Sequence, residues 1–424
     1  MSVAIDNVDL TKTFRRGFAA TFALDLVTSA IGAVTVVVLI RGLSVSSYAY
    51  TTLFLTFGQF AGTAASGGVR TRYLREEAER VSRANAAAPR GAFTDALTKG
   101  TLAIVAAGVV ATPIALLVGF GSGFAGGGLI LAATGFAVGF AGLELAVAHY
   151  QAARRFFTAG TLRVARAVVL LVAAIAIVET SESPVSISAW FVGSMICVGV
   201  FAAAPIARLA RPGRLARLSR FASEELWLSF YYMASAGFAY VDVLVAGSLL
   251  SKHQVATLGA SLRYLAVVLG AIPALGAVLR VRTSQVDVVD SPANQEAMVM
   301  GWLRRASLPA GLLIGVAIVL APQVIPVIDG GRYPGSITTL QIFLVTALTA
   351  YLSAPVANVL MAQRRYAVLT TIYAIGLALN LAGDIAVARP YGVVGIAIVS
   401  TAVYVAIDVS MAVASLRYAS NRGG

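Results

Sequence analysis

Long apolar runs separated by short polar segments extend along almost the whole chain. Each run holds about 20 mostly apolar residues, the length that an α-helix needs to cross the hydrocarbon layer of a membrane. Helices are favoured there because they satisfy their own backbone hydrogen bonds without water. The pattern therefore predicts about twelve membrane-spanning helices. Their expected positions are 17–40, 47–69, 98–119, 128–150, 161–178, 188–207, 224–248, 256–279, 305–326, 336–361, 367–388 and 393–415.

The composition supports a membrane protein. Of the 424 residues, 58% are hydrophobic and only 12% are charged, and the mean hydropathy is +0.84. A single water-soluble core cannot bury that much apolar surface, so lipid must cover the excess.

The positive charges fall mainly on one side of the expected helices. With the N-terminus inside, most of the 32 Lys and Arg residues lie in cytoplasmic segments, as the positive-inside rule requires. We therefore expect both termini in the cytoplasm and place the chain in a prokaryotic inner membrane. The charged stretch 67–80, GGVRTRYLREEAER, is expected to be the inner end of the second helix, running into a solvated loop. Because the cations are spread over separate inner segments, a nucleic-acid partner is not expected.

The two halves of the sequence resemble each other. One shift of the chain moves Arg70 onto Arg280 and Arg72 onto Arg282, at the inner ends of matching helices. A parallel repeat of this kind predicts an all-α polytopic protein with two six-helix, pseudo-symmetric bundles around a central cavity. The expected domains are an N-terminal bundle (1–207), a basic cytoplasmic linker (208–223) and a C-terminal bundle (224–424).

Several chemistries are disfavoured by the residues present. Cys197 is the single cysteine, and His149 and His253 are the only histidines, so neither a disulfide framework nor a cysteine- or histidine-rich metal site is expected. We expect no catalytic residues, no metal and no cofactor. A membrane-embedded polymerase or glycosyltransferase needs a large outer loop, whereas every expected outer loop is short.

Two segments carry a resemblance to a known family. The stretch LIRGLSVSSYAYTTLFLTFGQFAGTAASGGVRTRYLREEAER, residues 39–80, ends in a pattern that runs from Gly67 through Arg72 and Tyr73 to Glu76. The seventh expected helix contains YVDVLVAGSLLS, residues 240–251. Both resemble the polysaccharide-biosynthesis branch of the multidrug/oligosaccharidyl-lipid/polysaccharide exporter superfamily.

The resemblance implies a flippase that moves a polyprenyl-diphosphate-linked oligosaccharide from the inner to the outer leaflet by alternating access. Such a protein would meet membrane lipids, its lipid-linked glycan substrate, and polysaccharide polymerase or ligase partners. Sugar and diphosphate cannot cross hydrocarbon unaided, so a wet, partly cationic cavity is expected. Arginine suits this task because its planar guanidinium makes paired, charge-assisted hydrogen bonds to phosphate.

Five arginines are candidates for contact with the substrate diphosphate in the cavity. Arg263 lies within the eighth span, where it serves either a phosphate or a structural ion pair. Arg163 and Arg166 either line an inner vestibule or anchor the inner leaflet. Arg16, at the inner end of the first helix, either meets the incoming headgroup or serves as an anchor. Arg41, at the outer end of the first helix, is also explained by interfacial snorkelling.

A second group of arginines marks the inner mouth of the expected cavity. Arg70 and Arg72 are repeated as Arg280 and Arg282, where a diphosphate headgroup would first arrive. Simple positive-inside anchoring accounts for the same residues.

Three acidic residues are candidates for ion coupling. A buried carboxylate can carry a proton or a sodium ion across a transport cycle. Asp25 and Asp242 lie in the first helix of each half, and Glu144 lies in the fourth helix. For Asp25 and Asp242, neutralisation of an arginine such as Arg263 is the alternative role.

Two further functions share the membrane architecture. A cation-coupled small-molecule or drug antiporter of the same superfamily should favour an acidic cavity without arginines. A membrane scaffold without transport activity would not need so many charges inside its spans.

Overall fold

The computed structural model of the protein describes residues 7–82, 92–117, 126–153, 155–209, 223–269 and 292–420. These residues form long α-helices, with no strand among them. The helices are α1 (Asn7–Gly42), α2 (Val45–Ser82), α3 (Ala92–Leu117), α4 (Gly126–Ala152), α5 (Phe156–Thr180), α6 (Pro184–Leu209), α7 (Ser223–Leu249), α8 (Lys252–Leu269), α9 (Pro292–Asp329), α10 (Gly335–Ala362) and α11 (Tyr366–Ser420).

The last helix consists of two arms, 366–391 and 393–420. Gly392 separates them with a φ of 58°, a left-handed conformation that glycine adopts without a Cβ clash. Counting the arms separately gives twelve helical segments in the described chain, and each expected span overlaps one of them. The end of the eighth expected span, 270–279, lies outside the described residues.

Length and composition identify the protein as a multi-pass membrane protein. Within the described residues, nine helices are long and apolar enough to cross a membrane, with α11 counted once. Much of their surface is apolar and unprotected: on α9, Leu308, Leu313 and Val319 are each more than 60% exposed. Side chains of this kind are stable only where lipid covers them.

The helices pack in the same order in both halves. In the first half α1 packs on α5, α2 on α4, α3 on α4, and α4 on α6. The second half repeats this with α7 on α11, α8 on α10, α9 on α10, and α10 on α11. The repeated order confirms two pseudo-symmetric bundles. Residues 210–222, most of the expected basic linker, lie outside the described chain, so the domain boundaries stay a prediction.

The main contact between the halves is made by α2 and α7. Their backbones approach closely because α2 carries glycine where α7 presents large side chains. A Cβ added at Gly67 would lie 2.5 Å from the ring of Tyr232. Nearby, the Thr71 hydroxyl donates a hydrogen bond of 2.8 Å to the Tyr232 hydroxyl.

The charged stretch 67–80 differs from its prediction. Helix α2 continues through it to Ser82, and the expected solvated loop does not begin there. Val69, Tyr73 and Glu77 are buried and recur every four residues, so they share one helix face. This face packs against the bundle, which explains why the helix extends beyond its apolar part.

Candidate functional site

A cavity of about 370 Å³ lies among helices α1, α2, α4, α5, α6, α7 and α8. One wall is aromatic and apolar, with Phe136, Phe140 and Phe191 among its residues. The remaining wall carries many uncharged polar side chains that can hydrogen bond to a ligand. These are Thr28, Ser29, Thr35, Tyr48, Thr51, Thr52, Gln59 and Tyr240.

Two arginines line the cavity, and both were candidates from the sequence. Arg263 lies on α8 with Ala266 and Val267, whose spacing of three and four residues puts them on the same helix face. Its guanidinium is half-buried and makes no hydrogen bond or ion pair within the described chain. Arg166 lies over the Phe140 ring, with its guanidinium carbon 5.8 Å from the ring centroid.

The electrostatics of the cavity favour an anion. None of the described residues lining it is acidic, whereas Arg166 and Arg263 both carry a positive charge. Gln59 on α2 accepts a hydrogen bond of 3.3 Å from the Tyr240 hydroxyl on α7, so the polar wall is continuous across the two halves. The arrangement can hold a phosphate beside hydroxyl-rich groups.

Beside the cavity, Glu144 on α4 joins two arginines. Arg70 Nη1 lies 2.5 Å from Glu144 Oε2, and Arg166 Nη1 lies 3.4 Å from Glu144 Oε1. Arg70 also lies over the Tyr232 ring at 5.9 Å, which connects this cluster with α7. Arg70, expected at the inner mouth, is therefore held within a buried network.

Arg163 makes a different contact from its neighbour Arg166. Its Nη1 lies 3.0 Å from Asp25 Oδ1, and the pair joins α5 to α1. Arg163 is not among the residues that line this cavity. Asp25, an ion-coupling candidate, is thus already neutralised by the chain, which was the alternative role expected for it.

Arg41 lies outside the cavity, in a contact that we call the arginine clasp, formed by Arg41 and Arg332. Arg41 Nε donates a 2.8 Å hydrogen bond to the Ile328 carbonyl, and its Nη2 donates to the Val327 carbonyl. Arg332 Nη1 donates in return to the carbonyls of Ile40, at 2.8 Å, and Arg41, at 2.9 Å. Each guanidinium meets the negative end of the other half's helix, which ties α1 to α9 on the predicted outer side.

Four other arginines were also predicted as site residues. Arg72 is half-buried on α2. Arg16 belongs to the first part of α1, where only the helix backbone is described. Arg280 and Arg282 lie outside the described residues.

The second half contains a cluster of buried oxygen-bearing side chains around Asp242 of α7. Asn380 of α11 donates a 2.8 Å hydrogen bond from its Nδ2 to Asp242 Oδ1. Asp384, one turn further along α11, interacts electrostatically with Asp242. Asp384 is completely buried, and neither of its carboxylate oxygens meets a hydrogen-bond donor in the described chain. Ser400, on the second arm of α11, adds a hydroxyl beside Asp242.

Sequence reasoning interpreted Asp384 as a solvated residue near the outer end of its helix and missed Asn380, although a signal for Asn380 exists. Asp25 and Arg163 are separated by 138 residues, as are Asp242 and Asn380. If the sequence is shifted along itself so that Asp25 falls on Asp242, Arg163 therefore falls on Asn380. This shift differs from the one that aligns the inner arginines, which does not bring Asp25 onto Asp242.

A buried carboxylate cluster without an arginine partner can bind a cation or a proton. Leaving two carboxylates charged and unpaired in a buried site is costly, and adjacent carboxyls favour sharing a proton. Oxygen ligands alone also suit a hard monovalent cation better than a soft metal. The cluster of Asp242, Asn380, Asp384 and Ser400 has the chemistry that ion coupling requires.

No protein-family model and no curated protein matches the sequence. The fold, however, is similar to that of solved membrane proteins. The lipid II flippase MurJ, in an inward closed conformation, has a TM-score of 0.72 and 13% identity over 94% of this chain and 87% of that one. A mutant of the Vibrio cholerae MATE transporter VcmN has a TM-score of 0.59 and 16% identity over 97% of both chains.

A third similar structure is a transporter from Pyrococcus furiosus, described as having a binding pocket of reverse polarity. Its TM-score is 0.56 and its identity is 13%, over 96% of this chain and 95% of that one. These three proteins are a flippase and transporters, not enzymes. The chain therefore shares its fold with this flippase and with MATE transporters.

Proposed function

We propose that the protein is a flippase that moves a polyprenyl-diphosphate-linked oligosaccharide from the inner to the outer leaflet for surface polysaccharide biosynthesis. It acts in a prokaryotic inner membrane, with both termini in the cytoplasm and a polysaccharide polymerase or ligase as its partner. The observation that carries the proposal is the cavity itself. Arg166 and Arg263 line it, and none of its described lining residues is acidic.

The cavity matches the chemistry of such a substrate. The arginines can form paired, charge-assisted hydrogen bonds with the diphosphate. The hydroxyl-rich wall offers donors and acceptors to the sugars, and Tyr48 and Tyr240 add ring surfaces. Ala266 and Val267 line the cavity but are exposed, so they give the prenyl chain an apolar edge along which it can remain in lipid.

Alternating access requires the halves to separate on one face at a time. The arginine clasp adds hydrogen bonds to backbone carbonyls on the predicted outer side, where Tyr48 of the first half also packs against Tyr333 of the second. Water can replace such exposed hydrogen bonds at low cost, so the contact can open without unfolding either helix. We assign the clasp to the state in which the outer face is closed.

In this proposal, Asp242 binds the coupling ion. Asp25 is paired with Arg163, and Glu144 is paired with Arg70 and Arg166. Asp242 has Asn380 and Asp384 as neighbours and no arginine within hydrogen-bonding distance in the described chain. A proton or a sodium ion bound there would link the cation gradient to the movement of α7 and α11.

A second candidate function is a cation-coupled small-molecule or drug antiporter. The carboxylate cluster of the second half favours it, because an acidic site can bind a cationic drug as well as an ion. The arginine-lined cavity favours the flippase, since two fixed positive charges repel a cationic drug.

The test is transfer of a fluorescent polyprenyl-diphosphate oligosaccharide between leaflets of vesicles that contain the purified protein. We compare the wild type with Arg263→Ala and with Arg389→Ala, which removes an exposed arginine outside the cavity. Loss of a charged hydrogen-bond partner should slow transfer by about 10- to 100-fold in Arg263→Ala and leave Arg389→Ala unchanged. Absence of transfer by the wild type with several glycans, together with efflux of a lipophilic cation, would establish the antiporter instead.

A further inference from the structure

We propose that Glu144 is a positioning residue that holds Arg166 at the cavity wall and releases it to an incoming phosphate. The inference rests on the proposed function and adds a selection step to it. A headgroup enters stably only when its charge competes with the Glu144 carboxylate for Arg166.

The two arginines on Glu144 are held unequally. Arg70 Nη1 lies 2.5 Å from one carboxylate oxygen, closer than the roughly 2.7–2.9 Å usual for a charged N–H···O hydrogen bond. Arg166 lies 3.4 Å from the other oxygen, a long contact, and it is the partner that lines the cavity. Arg166 is therefore the more easily exchanged of the two.

The ion pair between Arg70 and Glu144, which remains when Arg166 leaves, makes the exchange feasible. If Glu144 had Arg166 as its only partner, withdrawal of Arg166 would leave a partly buried carboxylate without a partner, which is unfavourable. Arg70 prevents this because it keeps Glu144 paired throughout. The phosphate thus gains a guanidinium while the protein retains a complete ion pair.

The same arrangement predicts which headgroups are accepted. A diphosphate carries more charge than a single carboxylate and can draw Arg166 away from Glu144. A neutral glycolipid offers no charge to Arg166, and the arginine stays on Glu144. Arg263, which has no described acidic partner, can bind any anion, including one that carries too little charge to draw Arg166 from Glu144.

Neutralising Glu144 tests the inference on the full-length protein in detergent. In Glu144→Gln the competing charge is lost, while the amide oxygen still accepts a hydrogen bond from Arg70. Binding of inorganic diphosphate and of farnesyl diphosphate should become about three- to tenfold tighter, the effect expected from removing a partly exposed competing ion pair. Adding Arg166→Gln to this variant should abolish the gain, as a double-mutant cycle requires for coupled residues.

Asp25→Asn is the matched control. It makes the same change in net charge, but its arginine partner, Arg163, does not line the cavity. An equal gain in Asp25→Asn would reduce the effect to long-range electrostatics and overturn the positioning role. Unchanged or weaker binding in Glu144→Gln, with normal binding by the wild type, would also overturn it and leave the proposed function intact. Failure of the wild type to bind either diphosphate would instead reject the proposed function, and this inference with it.

Discussion

The two halves place an aspartate at equivalent positions, but the side chains that contact it differ in charge. In the first half, Asp25 on α1 meets the guanidinium of Arg163 on α5 at 3.0 Å. In the second half, Asp242 on α7 meets the amide of Asn380 on α11 at 2.8 Å, with Asp384 nearby. The equivalent helix pairs α1–α5 and α7–α11 thus differ: the first supplies a positively charged side chain to its aspartate, and the second does not.

This difference separates two tasks within one repeated architecture. The first half supplies three arginines to two carboxylates in its polar cluster, so a positive charge is left to face the cavity. In the second half, the cluster around Asp242 and Asp384 contains no described arginine, so its positive charge must come from solution. An anionic substrate and a coupling cation can therefore bind at separate places without competing.

The largest expected effect comes from removing the charge that the second half leaves unpaired. Asp242→Asn should reduce gradient-driven transfer by about 5- to 150-fold, the range of common coupling free energies between two sites. The measurement is the transfer rate in vesicles under an imposed proton or sodium gradient. Asp95→Asn, which removes an acid paired with Lys99 on α3, is the control and should respond normally. A normal gradient response in Asp242→Asn would refute the coupling role.

The corresponding change in the first half should affect stability before transport. Arg163→Ala leaves Asp25, which is only 7% exposed, without its partner. We expect a loss of about 1–3 kcal/mol in unfolding free energy, less than for a fully buried pair because water reaches part of Arg163. Thermal unfolding in detergent measures this loss. The double variant Asp25→Asn with Arg163→Ala should recover much of it, and a single variant as stable as the wild type would disprove the pairing.

The comparison between the halves can be tested further by building the Asp–Asn pair of the second half into the first half. In an Asp242→Asn background, added sodium or acid should no longer stabilise the protein. Arg163→Asn then gives the first half an Asp–Asn pair and should restore cation-dependent stabilisation of about 1.4 kcal/mol at tenfold excess over the dissociation constant. Thermal unfolding at increasing sodium concentration and at several pH values reports the gain. If no cation effect returns, Arg163 is not the counterpart of a bound ion.

The smallest expected effect concerns the clasp that joins the halves. Arg332→Ala removes hydrogen bonds to the carbonyls of Ile40 and Arg41 near the protein surface. Such bonds contribute about 0.5–1.5 kcal/mol, so the open outer state should gain roughly two- to tenfold in population. An Ile328→Cys reporter in a chain with Cys197→Ser should then react faster with an impermeant maleimide. An unchanged labelling rate would show that the clasp does not hold the outer face.

The sequence is informative about whatever depends on local pattern. Apolar run length places the helices, because each span must match the membrane on its own. Arg166 and Arg263 were identified because a charge inside a span is costly unless it faces a cavity or a partner. The resemblance drawn from residues 39–80 and 240–251 agrees with the fold, which the chain shares with a flippase and with MATE transporters.

The remaining features depend on how distant helices pack. Nothing in the local sequence around Glu144 reveals that Arg70 and Arg166 converge on it from two other helices. Asp384 looks solvated near the end of its expected span, yet it is completely buried against α7. Arg41 resembles a snorkelling residue in the sequence, and its carbonyl partners on α9 emerge only when the halves meet.

Binding affinity for farnesyl diphosphate, measured in parallel on Arg263→Ala and Asp242→Asn, tests the division of tasks most directly. Both are single substitutions in helices of the second half, so general damage to that half should affect them alike. We expect Arg263→Ala to weaken binding by about 10- to 100-fold and Asp242→Asn to bind as the wild type does. Equal weakening in both variants, or weakening in Asp242→Asn alone, would contradict an anion site and a cation site that act separately.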